Sequence, residues 1–387
     1  MKAETTHATT NPTPMDELKT HTQGAFMTLN LITQAAHSIL DTKFTAPNPK
    51  PDWFDGLNAK LDDVKVLAQQ WVDDIAPDVT GGVPVQVIDY GTTYSAFTAE
   101  INSIANKHPD AQGQDNPYVM QIHKLVVAMD NEVEKIIAHA EATQATLKDW
   151  GAKMQKAHDA LSDGTSNIQK AEASLQADIN KMNNAIKVLN ATIAEENKAI
   201  AYSAIGIGVG IFLTIAGIAL APETGGSSLV VAGTGALLVV GGAVTWGIMQ
   251  HKINGQFDEI AKDQSRLNDD ERQIVALKGL DASSSMVLSN ISTSEDALSA
   301  FRTSWAVFQG ELQGVARKLE AAEGALSTIV QQAFTNAAAD EWKGATDFAQ
   351  NLANAPVHVV QKDLPMSGEV QGGADFQNAL VQLRPRA

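Results

Sequence analysis

The sequence offers few residues whose types and spacing could carry out covalent or metal chemistry. Nine histidines are scattered along the chain, and neither H-E-x-x-H nor G-x-S-x-G occurs. His139 precedes Glu141 by two residues, which places the two side chains on different faces of a helix and favours a solvated surface over a metal site. The chain has no cysteine, so thiol chemistry and cysteine-ligated zinc are excluded. We therefore predict no enzyme, no catalytic residue, no cofactor and no metal.

Two other patterns could be mistaken for ligand sites. Gly206 and Gly208 have the spacing that begins a dinucleotide-binding loop, but they follow a predicted helix, the third glycine, Gly210, is not at the required spacing, and all three lie in an apolar run. Trp305 and Phe308 fall on a heptad of apolar residues, so we predict that they are core rather than a platform for a ligand. Function must therefore come from the larger elements of the chain.

Two long apolar runs dominate the middle of the chain. They cover 203–221 and 229–250, and Glu223 is the one charged residue between positions 199 and 251. As helices of 19 and 22 residues they would be about 28 and 33 Å long, close to the hydrocarbon thickness of a bilayer, about 30 Å. Turn-forming residues at 222–228 separate them, so the runs must return on each other as a hairpin. A buried hydrophobic core hairpin is the alternative interpretation.

The apolar side chains of this hairpin are the predicted membrane-inserting residues: Ile205, Ile207, Val209, Ile211, Phe212, Leu213, Ile215, Ile218, Leu220, Leu229, Val230, Val231, Leu237, Leu238, Val239, Val240, Val244, Trp246 and Ile248. A stripe of small residues at helical spacing predicts close helix contact in lipid: Gly206, Gly210, Thr214 and Gly217. Amphipathic residues at one end are predicted interface anchors: Lys198, Tyr202, Trp246 and Lys252. The tip that crosses the bilayer contains Pro222 and Glu223.

Energetics predict that insertion of the hairpin is conditional. The nine strongly apolar residues of the first run contribute roughly −3 to −5 kcal/mol at about −0.3 to −0.6 kcal/mol each. Glycine and hydroxyl residues, and the transfer of Glu223 across the bilayer, oppose this term. A balance this small is typical of a segment that is hidden in a soluble form and inserts later.

Composition limits the partners. The net charge is −17 and no basic cluster occurs, which argues against nucleic acid and against electrostatic attraction to anionic lipid. The N-terminal residues contain no apolar segment, so we expect no cleavable signal peptide and secretion by another route.

The rest of the chain is predicted to be helical. Helices are expected at 15–44, at 53–75 with a break at Pro77 and Gly81-Gly82, and at 85–107. Two long heptad-bearing helices, 117–202 and 251–334, flank the hairpin, and a last helix covers 336–354. Their similar lengths predict an all-α, elongated helical bundle with long antiparallel helices and a hydrophobic hairpin head.

Four segments follow from this organisation. Residues 1–14 form a disordered tail, 15–198 and 251–355 form the helical bundle, and 199–250 form the membrane-inserting head. Residues 356–387 are predicted to be irregular with one short strand.

The pattern of two near-equal heptad helices around a hydrophobic hairpin resembles the cytolysin A family of α-helical pore-forming toxins. The runs AIGIGVGIFLTIAGIAL and LVVAGTGALLVVGGAVTWGIM resemble those of the B component of tripartite toxins such as haemolysin BL and the non-haemolytic enterotoxin. In its expected lack of a cleavable signal peptide, the N-terminus is more similar to the tripartite haemolysins of Gram-negative bacteria. In this family the soluble head contains β-strands, so stretches such as Val230-Val231 could be extended here.

The resemblance implies a soluble toxin component that rearranges, inserts its head into a host-cell membrane and forms an oligomeric pore. It also implies partner components, one of which supplies an amphipathic helix for the water-filled lumen. Two alternatives remain open from the sequence. A membrane-anchored coiled-coil protein would fractionate with membranes, and a colicin-like bacteriocin would normally carry separate receptor-binding and translocation domains.

Overall fold

A computed structural model of the chain describes residues 12–41, 54–171, 210–220, 229–238, 269–321, 324–354 and 357–362. Within these ranges the elements are seven α-helices and three strands. The helices are α1 (Pro14–Asp41), α2 (Phe54–Gln70), α3 (Ala76–Lys107), α4 (Pro117–Ala171), α5 (Asp269–Glu320), α6 (Leu326–Ala333) and α7 (Asn336–Ala353). The strands are β1 (Gly210–Leu220), β2 (Leu229–Leu238) and β3 (Val357–Lys362). The predicted class, an all-α helical bundle whose hydrophobic hairpin could be extended, is confirmed.

The described residues fall into two compact units. The first unit contains residues 12–23, 83–142 and 298–351, and the second contains residues 24–82, 143–171, the described residues between 210 and 297, and 352–362. The predicted boundaries of the head, at 198/199 and 250/251, lie outside the described residues, so the division into bundle and head stays a prediction.

The core of the first unit is built on aromatic rings, here called the aromatic cluster: Tyr90, Tyr94, Trp305, Phe308, Phe334 and Trp342. The ring centroids of Tyr90 and Trp342 are 4.7 Å apart, and those of Phe308 and Trp342 are 4.9 Å apart. Trp305 meets Tyr90 edge to face at 5.1 Å. Such offset and edge-on contacts stabilise aromatic pairs beyond the area they bury, so the cluster ties α3, α5 and α7 together.

The core of the second unit contains a pair of tryptophan rings in contact, with an interplanar angle of 39°. Trp71 and Trp150 have ring centroids 4.7 Å apart and are almost completely buried. Each indole N–H has an acceptor: Trp71 Nε1 donates to Thr33 Oγ1 at 3.0 Å, and Trp150 Nε1 donates to the carbonyl of Leu67 at 3.1 Å. A buried indole without an acceptor would carry an unsatisfied donor, so these bonds fix both rings.

The predicted break at Pro77 and Gly81-Gly82 is wrong. A π-helical turn (Trp71–Ile75) joins α2 directly to α3, and α3 continues through both glycines and through Pro84. In this turn the N–H of Ala76 donates to the carbonyl of Trp71, so the regular i→i−4 pattern is already interrupted next to Pro77, which has no N–H. A buried apolar stripe then favours the helix over local propensity: Val79, Val83 and Val87.

The second long helix is shorter than predicted. It was expected to continue to Phe334, but α5 ends at Glu320 and a new helix, α6, begins at Leu326. Gly324 between them has φ +100°, a conformation that residues with a side chain rarely adopt. The heptad predicted across this region is nonetheless buried: Ile291, Leu298, Trp305, Leu312, Leu319 and Leu326. The apolar period therefore marks the core correctly on both sides of a turn.

The last helix and the short strand of the tail are confirmed as α7 and β3. The beginning of α4 at Pro117 and the end of α3 at Lys107 also match the sequence patterns. The predicted helical stretch 172–202 and the stretch 251–268 lie outside the described residues.

A close approach of α3 and α7 gives a test of this packing. A Cβ at Gly91 would overlap Thr346 Oγ1 and lie 3.1 Å from Thr346 Cβ, whereas a Cβ at Gly81 on the same helix would meet nothing within 4 Å. We expect Gly91→Ala to lower the free energy of unfolding by about 1–3 kcal/mol through overpacking. Gly81→Ala should instead raise it by about 0.4–1 kcal/mol, because alanine restricts the unfolded chain.

Urea unfolding followed by circular dichroism measures both variants. Equal effects of the two substitutions would show that α3 and α7 are not in close contact at Gly91.

Candidate functional site

The candidate site is the three-stranded sheet, because β1 and β2 are formed by the two apolar runs. The strand order is β1-β2-β3, and both pairings are antiparallel. Leu220 pairs with Leu229 beside the connecting residues 221–228, and Gly210 pairs with Leu238 at the other end. The two runs therefore form a hairpin, as the sequence predicts, with an extended backbone over the described residues.

One irregularity interrupts the β1–β2 pairing. Ile215 pairs with Gly233 and Ile218 pairs with Val231, so two residues of β1 oppose one residue of β2 at this point. This is a β-bulge, which increases the local twist of the strand. Gly217, one of the predicted stripe residues, lies in the bulge.

The second apolar run is paired on both of its edges. On the side away from β1, β2 pairs with β3 in a continuous register from Leu238↔Val357 to Gly233↔Lys362. The backbone groups of residues 233–238 therefore face a strand on each side. Since the edge of a sheet is a template for pairing with other chains, β3 covers an edge of β2 that would otherwise be open.

The predicted membrane-inserting residues divide into three groups. Strand β1 contains Ile211, Phe212, Leu213, Ile215, Ile218 and Leu220, and strand β2 contains Leu229, Val230, Val231, Leu237 and Leu238. Other predicted residues lie outside the described residues: Ile205, Ile207, Val209, Val239, Val240, Val244, Trp246 and Ile248. The anchors Lys198, Tyr202 and Lys252, the stripe residue Gly206 and the tip residues Pro222 and Glu223 are also outside them.

The apolar runs are predicted as helices, but residues 210–220 and 229–238 form strands. Isoleucine, valine, threonine and phenylalanine make up much of these segments, and such residues favour a strand where a partner strand is available. The helix-contact stripe through Gly210, Thr214 and Gly217 is therefore not formed in this conformation and stays a prediction for an inserted one. Among the helices of the described ranges, none combines the length and the hydropathy needed to cross a membrane.

The pairing of β3 with the head is the feature that sequence reasoning missed. The alternating and β-branched residues Val357, Val359 and Val360 indicate a short strand. Nothing in them specifies a partner 119 positions earlier, at Leu238. The signal that could have suggested this pairing is the second apolar run itself, because a strand paired only with β1 would leave the backbone groups of its other edge without a partner.

The chemistry available to the sheet is apolar burial and backbone pairing. The sequences of β1 and β2 contain no ionisable residue, and β3 adds His358 and Lys362. Within the described part of the chain, no group of three or more histidine, aspartate or glutamate residues could hold a metal ion.

Comparison with known proteins identifies the class of fold. The chain matches no protein-family model and no curated protein sequence. Solved structures, in contrast, match over almost the full length, and they show that the chain has the fold of soluble components of tripartite α-pore-forming toxins. The fold expected from the resemblance of the sequence is thereby confirmed.

Three structures illustrate the match. Soluble SmhB of the tripartite α-pore-forming toxin Smh from Serratia marcescens has a TM-score of 0.68 at 16% identity, covering 96% of this chain and 99% of that one. Soluble AhlB of the toxin AHL from Aeromonas hydrophila has a TM-score of 0.66 at 16% identity, covering 96% and 100%. The HblL1 toxin component of Bacillus cereus has a TM-score of 0.62 at 11% identity, covering 89% and 97%.

The pairing of β3 with β2 can be tested by removing backbone donors. In an antiparallel ladder alternate residues face the partner strand, so one of Val359 and Val360 donates to β2. We expect the double variant Val359→Pro/Val360→Pro to accelerate hydrogen exchange in 229–238 by about tenfold or more, because proline has no N–H. Exchange in α4 should not change.

The matched control is Val359→Thr/Val360→Thr, which keeps both N–H groups and a β-branched shape. If the proline and threonine variants exchange alike in 229–238, β3 does not protect the second apolar run.

Proposed function

We propose that this protein is a pore-forming toxin component that holds its membrane-inserting segments as a sheet in solution and refolds them on a target membrane. One observation carries the proposal. Residues 210–220 and 229–238 of the two bilayer-length apolar runs form adjacent antiparallel strands, and β3 pairs with the second of them, in a chain that has the fold of soluble α-pore-forming toxin components.

Backbone hydrogen bonding explains why the sheet must refold. In lipid no water is present to bond the N–H and C=O groups of an open sheet edge, whereas an α-helix satisfies its groups internally. The strands β1 and β3 both have an outer edge. The inserted form is therefore a helical hairpin over 203–221 and 229–250, in which the stripe of Gly206, Gly210, Thr214 and Gly217 brings helices close together.

Release of β3 is the step that this mechanism requires first. While β3 is paired along 233–238, the second run cannot form a continuous helix, because its backbone groups are already committed. The favourable term for inserting the first run is only about −3 to −5 kcal/mol. Insertion is then governed by whatever separates β3 from β2, such as contact with a membrane or with a partner component.

Partner components complete the proposal. The neighbours SmhB and AhlB are described as parts of tripartite toxins, and a hairpin this apolar is poorly suited to line a water-filled pore. We propose that partner proteins supply the hydrophilic lumen, that the assembly is oligomeric, and that the protein is secreted and acts on host-cell membranes. No enzymatic step is part of this function.

Lysis by charge-substituted variants tests the role of the head. We expect Ile211→Asp and Leu238→Asp each to abolish release of haemoglobin from erythrocytes, measured with the purified protein alone and mixed with the products of neighbouring genes. A charge at the centre of an inserted helix costs about 2.5–3.5 kcal/mol, comparable with the favourable term of one whole run.

The control for these variants is Val66→Asp on α2, where the side chain is 69% exposed, and this variant should lyse cells normally. Circular dichroism checks that all three variants are folded. Lysis that survives both head substitutions would mean that these segments do not cross the bilayer.

A disulfide between β2 and β3 tests the release step. Ala236 and Val359 are paired Cα partners, and the chain has no other cysteine to interfere. We expect the oxidised double variant Ala236→Cys/Val359→Cys to be inactive and the reduced form to be active. The single-cysteine variants, which cannot form the bond within one chain, should be active in both redox states.

Thiol titration establishes that the bond has formed. Full lysis by the oxidised double variant would show that β3 remains paired with β2 throughout pore formation.

A further inference from the structure

The first unit contains a cavity that the proposed function does not use. Its volume is about 450 Å³, which is within the usual range for small-molecule sites. Five rings of the aromatic cluster line it: Tyr90, Tyr94, Phe308, Phe334 and Trp342. The sequence predicts Phe308 as core, and it is buried, but it also forms part of the wall of this cavity, here called the aromatic cavity.

Two carboxylates and one ammonium group also line the aromatic cavity. These belong to Glu311 and Lys318 on α5 and to Glu341 on α7. Within the described part of the chain, none of the three forms a hydrogen bond or an ion pair with another side chain. The cavity therefore combines aromatic rings with a net excess of one unpaired negative charge.

The carboxylates of Glu311 and Glu341 both affect the pKa of the same phenol, that of Tyr94. Burial raises the pKa of Tyr94 to about 12, with further contributions from the negative charges of Glu311 and Glu341. Loss of water around Glu311 raises the pKa of its own carboxyl group. Both effects would be offset by a cation in the cavity, because a positive charge stabilises carboxylates that are partly removed from water.

Aromatic faces and carboxylates together recognise one kind of ligand. A methylated ammonium group is attracted to the faces of tryptophan, tyrosine and phenylalanine, and its methyl groups tolerate an apolar wall. We propose that the aromatic cavity binds a quaternary ammonium group of the choline type. This proposal is independent of the head, since every residue that lines the cavity belongs to the first unit.

Lys318 also lines the cavity, and its positive charge suits a negatively charged group attached to the ammonium, such as a phosphate. Glu311 and Lys318 are seven residues apart on α5, which places them on the same face about 10 Å apart along the axis. In phosphocholine a phosphate is linked to the ammonium by two carbons. A phosphocholine ligand could then place its ammonium near the rings and Glu311 and its phosphate toward Lys318. The shared chemistry fits either free choline compounds or the headgroup of a choline lipid.

Binding of small ligands to the full-length protein tests the chemistry. Isothermal titration calorimetry should show choline and phosphocholine binding at least about tenfold tighter than 3,3-dimethyl-1-butanol, the neutral isostere of choline. Glu311→Gln should weaken the binding of choline by about tenfold. Equal binding of choline and the isostere would overturn the proposal in favour of an apolar site, and a lack of choline binding would overturn it altogether.

Two glycines of α5 provide a matched pair of blocking variants. A Cβ at Gly314 would meet no atom within 4 Å, and Gly314 lines the aromatic cavity, so Gly314→Leu places a side chain there without removing a core residue. Gly310, one turn earlier, has the same free space and does not line the cavity. We expect Gly314→Leu to abolish choline binding and Gly310→Leu to leave it unchanged.

Circular dichroism establishes that both variants fold, and Glu311→Gln remains as a test that adds no volume should Gly314→Leu fail to fold. Loss of binding in both leucine variants, or in neither, contradicts binding in this cavity.

Flotation with vesicles distinguishes the two sources of the ligand. Vesicles of phosphatidylcholine and of phosphatidylglycerol are compared, using wild type, Gly314→Leu and Gly310→Leu. Preferential flotation with phosphatidylcholine that Gly314→Leu removes assigns the cavity to a lipid headgroup. Flotation that is equal for the three proteins, with choline binding in solution retained by wild type and Gly310→Leu alone, assigns it to a free choline compound.

Discussion

The backbone of two long apolar segments must be hydrogen-bonded in whatever medium surrounds it, and the rest of this structure depends on that constraint. In water the constraint is met by pairing the segments with each other and by adding a third strand that lies 119 positions further along the chain. In lipid, internal helical bonds would meet it without a partner. The same residues can therefore be satisfied in two ways, and the medium decides which is the more stable.

The helical units provide a stable setting for such a segment. In the second unit, which includes the sheet, the indole rings of Trp71 and Trp150 are in contact and each N–H has an acceptor, so the core is fixed by packing and by polar bonds. In the first unit an edge-to-face and tilted arrangement of rings fixes the core by packing. Stability is not uniform across such a protein, and elements that rearrange are drawn from its less stable parts. Under the proposed function, the sheet rearranges while the helical core of the second unit remains folded.

Parts of the fold could be predicted because they depend on periodicity alone. The heptad from Ile291 to Leu326 marks buried residues correctly even though the helix ends at Glu320, since both α5 and α6 turn their apolar face to the core. The end of α5 was missed because Gly324 in an alanine-rich segment is compatible with a helix until its φ of +100° is known. The break at Pro77 was predicted from local propensity, and a π-helical turn with buried valines overrode it. The candidate site was found as a hydrophobic hairpin and β3 was found as a short strand, but the pairing of β3 with β2 was not predicted, because the residues of a six-residue strand do not specify its partner.

The distance along the chain between β2 and β3 also affects how the protein is made. Leu238 and Val357 are 119 positions apart, and α5, α6 and α7 lie between them. A ribosome adds about 5–20 residues per second, so the β1–β2 hairpin emerges roughly 6–24 s before the strand that covers it. During that interval a nascent chain presents an uncovered apolar strand edge to the cytosol, where it can pair with other chains or be bound by chaperones. Vectorial synthesis therefore leaves an apolar strand edge dependent on a segment that is made later, and the yield of soluble protein becomes a property of β3.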